Sequence, residues 1–172
     1  MKIFIGGSKT INAIDENVKS ILNQIYKNND SVLIGDCFGI DKVVQEYYEN
    51  LKYENVEIFV SGNKIRNNVG NWKVNNISVS DKIKGFDFYR QKDIVMADES
   101  DYGFMIWDKK SKGTLNNIID LYRRNKKVTV YLNNDKTIEN IQTKDNLLDL
   151  IEKCDIFTQQ LFDLIFNGVH NE

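Results

Sequence analysis

Apolar and polar residues along this chain fall into blocks whose period switches between that of a strand and that of a helix. Short apolar runs at Lys2–Ile5, Ser31–Ile34, Val56–Val60, Tyr102–Trp107 and Lys127–Leu132 predict five strands. Between them, Ile14, Val18, Ile21, Leu22 and Ile25 share one helical face. Ile40, Val43, Val44, Tyr47, Tyr48 and Leu51 follow the i, i+3, i+4, i+7 rule most closely. A third helix is predicted across Phe86–Ala97, and Leu115, Ile118, Ile119 and Tyr122 mark a fourth. Ile138–Ile141 reads as a short edge strand. Leu147, Leu148, Ile151 and Cys154, then Phe157, Leu161, Leu164 and Ile165, read as two closing helices. From Ser61 to about Lys84 the periodicity dissolves into Asn, Gly, Ser and charged residues, which predicts a long functional or mobile connection.

Strands separated by helices imply a parallel sheet with right-handed crossovers. The expected fold is α/β: a Rossmann-like three-layer arrangement, its mostly parallel sheet ordered 3-2-1-4-5 with helices on both faces. The first and fourth strands then lie side by side at the switch point, where open α/β sheets bind ligands.

Three small-residue loops follow predicted strands: Gly6-Gly7-Ser8, Gly35-Asp36-Cys37-Phe38-Gly39 and Ser111-Lys112-Gly113-Thr114. Glycine admits close backbone approach to a ligand, and a following helix presents a positive N-terminus. Gly6, Gly7, Gly35, Gly39 and Gly113 are therefore candidate binding positions, as are Ser8, Ser111 and Thr114. Each hydroxyl serves equally as a helix cap or turn residue. Asn117, one turn beyond Thr114, is placed to face the pocket. Asp36 and Asp41 flank the second loop, where a carboxylate accepts from sugar hydroxyls or acts as a base, although capping alone accounts for Asp41. Asp36, Asp41 and Asp108 would repel a phosphate unless Lys9, Lys109, Lys110 and Lys112 offset them, so a ligand with both an anion and hydroxyls fits best. Trp72, beside Arg66, Asn67, Asn68 and Asn71, either stacks on a base or anchors its loop. Phe86, Phe88, Tyr89 and Trp107 are assigned to core or to an interface, which leaves a homo-oligomer open. His170 is given no role.

Composition narrows the setting. A chain of 172 residues, 41% hydrophobic and 28% charged, is expected to form one domain. No apolar run approaches the ~20 residues of a bilayer-spanning helix, so no membrane role is expected. Two cysteines, Cys37 and Cys154, and one histidine make neither a disulfide framework nor a zinc site. The expected setting is the reducing cytoplasm, with no metal and no cofactor beyond a magnesium ion that a phosphate ligand could bring. The net charge of −2 argues against a nucleic-acid binder, and the basic run Arg123-Arg124-Asn125-Lys126-Lys127 suits a helix C-terminus.

Together these motifs resemble the SLOG superfamily of Rossmann-like domains, which includes the LONELY GUY, DprA and YpsA-like proteins. Gly35-Asp36-Cys37-Phe38-Gly39-Ile40-Asp41 is similar to the family's second glycine loop, which ends in Gly-x-Asp. Lys92-Asp93-Ile94-Val95-Met96-Ala97-Asp98-Glu99-Ser100-Asp101, followed by Gly113-Thr114, is similar to its helix–strand–Gly-Thr module. The resemblance spans about residues 1–135, with a C-terminal helical extension over 143–167 outside it. Members that hydrolyse phosphoribosyl bonds carry an Arg before the helix methionine and a Glu three residues after the threonine. Here those positions hold Lys92 and Asn117. The resemblance thus implies a nucleotide or nucleotide-derived ligand, sensed or sequestered rather than cleaved. The alternative is an N-glycosidic hydrolase or transferase in which Asp36, Asp93 or Asp108 replaces the missing Glu. A DprA-like role needs a positive groove, so a nucleic-acid partner is not expected.

Overall fold

The computed structural model describes residues 1–168, and His170 lies outside them. One half of the chain runs β1 (Lys2–Gly7), α1 (Glu16–Lys27), β2 (Ser31–Gly35), α2 (Ile40–Asn50), β3 (Val56–Ser61) and β4 (Lys73–Ile77). The other runs α3 (Gly85–Glu99), β5 (Tyr102–Trp107), α4 (Lys112–Arg123), β6 (Lys127–Leu132), β7 (Thr137–Ile141), α5 (Lys144–Glu152) and α6 (Ile156–Asn167). They build a seven-stranded sheet ordered β4-β3-β2-β1-β5-β6-β7, parallel except for β7 against β6. The five strands predicted from apolar runs occupy the centre in the expected order, the expected edge strand at Ile138–Ile141 is β7, and β4 is added at the other edge. Among the described residues no helix is long and apolar enough to cross a membrane.

The period-2 alternation of the strands sorts the core into two layers. Ile3, Ile5, Val32, Ile34, Ile58, Val60, Phe104 and Ile106 pack on the face covered by α1 and α2. Phe4, Leu33, Phe59, Met105 and Trp107 pack on the opposite face with α3 to α6. The order in which strands are added therefore reverses between β1 and β5, where Ile5 pairs with Phe104 and Gly7 with Ile106. The closing helices belong to this core: Leu147, Leu150, Ile151 and Phe162 are all buried in it.

The stretch expected to be irregular contains β4. This edge strand is half exposed and rich in Asn, so it carries no apolar run, and it is held by pairing to β3 and by Asn75 donating to Glu57 at 2.7 Å. The crossover from β3 to β4 has no helix. Instead, residues 62–72 return to the starting end of β3, pinned to α2 by Gln45, which donates to the Asn67 carbonyl and accepts from the Val69 N–H.

Candidate functional site

At the carboxyl ends of β1 and β5, a cleft of about 920 Å³ opens between the α4 N-terminus and α3. Gly6 and Gly7 form part of its floor, and a Cβ at Gly7 would collide with the Ile106 carbonyl and the Ile40 side chain. Gly39, with φ +72°, lies against the Lys9 backbone, so any side chain there would force the first two loops apart. Gly39 therefore brings the loops together, and Gly35 makes room for the Asp41 and Lys92 side chains; neither glycine lines the cleft.

The β5–α4 loop is organised by Asp108. Its carboxylate accepts from the backbone N–H of Lys110 at 2.8 Å and of Ser111 at 2.7 Å, and from the Thr10 hydroxyl at 2.8 Å. Partial burial works to raise its pKa, but these donors hold the carboxyl below the ordinary carboxylate range. Ser8 is fully buried, and its hydroxyl accepts from the Asp108 N–H at 3.1 Å. It stitches two loops together and does not line the cleft, contrary to the ligand role expected of it.

The first turn of α4 is left uncapped. Ser111 occupies the N-cap position without a side-chain cap hydrogen bond, and Thr114 donates to the Ser111 hydroxyl at 3.3 Å. Lys112, Gly113 and Thr114 of this turn line the cleft, and a helix N-terminus of this kind favours an anion. Asn117 follows one turn later. It is 6% exposed, lines the cleft, and its Oδ1 has no hydrogen-bond partner among the described residues. A buried acceptor in that state costs free energy until a donor reaches it.

The opposite wall holds a buried charge cluster. Asp41 accepts from the Cys37 N–H at 3.1 Å, and Lys92 bonds the Asp93 carboxylate at 2.8 Å and the Tyr89 carbonyl at 3.2 Å. Burial, reinforced by Asp93 and Asp36, pushes the Asp41 carboxyl up to about 7 despite the opposing charge of Lys92. Burial works to lower the Lys92 pKa, but Asp93 and Asp41 keep it above the ordinary lysine value. Burial and Asp41 also push the Cys37 thiol up.

Asp36 and Trp72 do not line the cleft. Asp36, 1% exposed, has both carboxylate oxygens held by Arg66 and does not reach the cleft. Trp72 lies at the far end of the sheet, its indole donating to the Tyr53 carbonyl at 2.8 Å, because the return of residues 62–72 carries it there. It anchors its loop. Lys9, Asp41, Lys92, Asp93, Asp108, Ser111, Gly113, Thr114 and Asn117 do converge on the cleft with Gly6 and Gly7. Arg90, given no role from sequence, lines the cleft, and Phe86 and Tyr89, assigned to core or to an interface, line it as well. An i, i+3 aromatic pair opening a helix was the available signal, but not its exposure. Among the described residues no three His, Cys, Asp or Glu side chains are grouped to hold a metal ion.

No family model and no curated protein matches the sequence. The structure is similar to that of DNA processing protein A from Helicobacter pylori, solved for its single-stranded DNA binding mode. The TM-score is 0.59 at 13% sequence identity, covering 98% of this chain and 81% of that one. The fold is Rossmann-like, of the kind seen in DNA processing protein A. This corrects the expectation that nucleic acid is an unlikely partner, which rested on a whole-chain charge of −2. A net charge averages over the surface, whereas six cations, Lys9, Arg66, Arg90, Lys92, Lys110 and Lys112, line the cleft itself against three carboxylates, Asp41, Asp93 and Asp108.

Proposed function

We propose that the cleft binds a nucleotide unit, with its phosphate at the α4 N-terminus and a sugar hydroxyl or base N–H donating to Asn117. The observation that carries this reading is the unpartnered Oδ1 of Asn117, buried one turn from an uncapped helix start. Simple anions satisfy the helix but leave Asn117 orphaned, whereas a nucleotide supplies both an anion and a donor. Lys110 and Lys112 add positive charge on the same side of the cleft.

Binding, as sensing or sequestration, is preferred to N-glycosidic chemistry because the three carboxylates weighed as replacements for the missing Glu are engaged. Asp36 is held by Arg66, Asp108 by its own loop, and Asp93 by Lys92. Membership of the SLOG superfamily, as a single domain with a helical extension over 143–167, fits the order of the glycine loops and the α3–β5–Gly113-Thr114 module. Calorimetric titration with a panel of nucleoside monophosphates, nucleosides and ADP-ribose tests the reading. Micromolar binding of a phosphorylated member is the expected result, and binding of none refutes it.

A second reading, in which the nucleotide unit belongs to a single DNA strand, is favoured by the likeness to DNA processing protein A. Salt-dependent binding of an oligodeoxynucleotide distinguishes it from capture of a free mononucleotide.

A further inference from the structure

Two aromatic rings stand exposed at the rim of the cleft, and nothing in the core explains them. Phe86 and Tyr89 sit one turn apart at the start of α3, 39% and 46% exposed, and both line the cleft. A cation covers one face of each ring. The Lys112 ammonium lies 4.4 Å from the Phe86 ring centre, and the Arg66 guanidinium lies 4.4 Å from that of Tyr89. Arg66 is itself fixed by Asp36, so the Tyr89 ring is backed by a group that does not swing away. Phe86 also adjoins the anion cradle, since a Cβ on Gly113 would lie 4.0 Å from its ring edge.

From this arrangement we infer a second subsite: Phe86 and Tyr89 form a ledge on which a neighbouring nucleobase stacks, so the cleft takes a strand of two or more nucleotides. Aromatic side chains beside a cationic groove are how single strands are held without reading their sequence, because every base offers a π-face. Lys112, behind Phe86, also adds positive charge for the polyanionic backbone, so one residue serves both parts of the ligand. The volume of about 920 Å³ lies near the top of the ~300–1,000 Å³ range of small-molecule sites, which leaves room beyond one nucleotide. This inference rests on the nucleotide reading of the cleft.

The test measures affinity of the whole chain for deoxyadenosine 5′-monophosphate, the 5′-phosphorylated dinucleotide and a ten-nucleotide deoxyadenylate strand. Tighter binding of the dinucleotide than of the monophosphate is expected. Phe86→Ala/Tyr89→Ala is expected to lose roughly five- to a hundredfold for the dinucleotide and the strand, and to abolish the advantage of the dinucleotide over the monophosphate. Its salt dependence should match that of the wild type, because stacking releases no counterions, whereas Lys112→Ala should flatten the slope. Phe157→Ala, which removes an exposed ring on α6, is the control for loss of any surface aromatic. Equal affinity for the monophosphate and the dinucleotide, or strand binding that survives the double substitution, overturns the ledge and leaves the nucleotide site standing. Failure of every probe to bind, the monophosphate included, overturns the nucleotide reading itself.

Discussion

Arg66 grips Asp36 through both its guanidinium and its own backbone: Nη2 donates to Oδ1 at 2.8 Å, and Nε and the backbone N–H donate to Oδ2 at 3.2 and 2.9 Å. Burial works to lower the Arg66 pKa, but the Asp36 carboxylate more than offsets it and the guanidinium stays charged. The pair ties the helix-free crossover to the β2 loop and closes one end of the cleft.

Breaking this pair from one side leaves a carboxylate that is 1% exposed without its counter-charge. Arg66→Ala is expected to lower unfolding free energy by about 3–5 kcal/mol. Asp36→Asn/Arg66→Met, which removes both charges, should recover most of that loss. Urea denaturation of the three proteins checks both statements, and an Arg66→Ala loss below about 1 kcal/mol would show the pair to be dispensable.

Asp41 sets a pH dependence of the opposite sign to an ordinary paired carboxylate. Its carboxyl is pushed up to about 7 by burial among Asp36, Asp93, Lys92 and Cys37, while in the unfolded chain it titrates near 4. Between these values the folded state holds a proton that the unfolded state has lost. Its contribution to stability is therefore full below about pH 4 and declines as pH rises to about 7. The three-unit gap corresponds to a decline on the order of 4 kcal/mol. Asp41→Asn keeps the shape and the bond from the Cys37 N–H but does not titrate, so its stability relative to wild type should climb from pH 5 to about pH 7 and level off above it. A difference that stays constant over that range would remove Asp41 as the titrating group.

Thr158 joins the closing helices to the candidate site. Its side chain is 3% exposed, and its hydroxyl donates at 2.8 Å to the carbonyl of Lys109, a residue held at φ +65° in the β5–α4 loop. Thr158→Val removes that donor and leaves the carbonyl unsatisfied. A stability loss of about 1–2 kcal/mol is expected, with a several-fold loss of affinity for a confirmed ligand as the loop relaxes. Thr158→Ser should restore both, and a valine variant with wild-type melting and binding would separate α6 from the loop.

What the sequence made legible was the part set by periodicity. Strand runs and helical faces placed β1, β2, β3, β5 and β6 in order, and topology alone then gathered the glycine loops at one end of the sheet. The residues misjudged were those whose position depends on chain path rather than on pattern. β4 carries no apolar alternation because an edge strand is stabilised by backbone pairing, and its existence turns the 62–72 segment back along β3. That return took Trp72 away from the cleft and brought Arg66 onto Asp36, 30 residues earlier in the chain. Ser8 and Asp108 were correctly placed on loops at the strand ends. Their mutual hydrogen bond spans 100 residues and has no local signature.

Asn117 is the position where the needs of folding and of binding are set against each other. In the free protein its Oδ1 is buried without a partner, a state that costs about 1–3 kcal/mol relative to a satisfied group. Asn117→Leu replaces the amide with an apolar side chain of similar size, at a position 6% exposed and one turn before the buried Leu121. The variant is expected to be more stable than wild type by about 1 kcal/mol and to bind a nucleotide at least tenfold more weakly. Asn117→Asp, which supplies an acceptor but adds charge beside the phosphate site, should also weaken binding, and more so as ionic strength falls. Melting and calorimetric titration on the same samples check the pair of effects. A leucine variant that is destabilised, or that binds like wild type, would remove the orphaned acceptor as the reason Asn stands at this position.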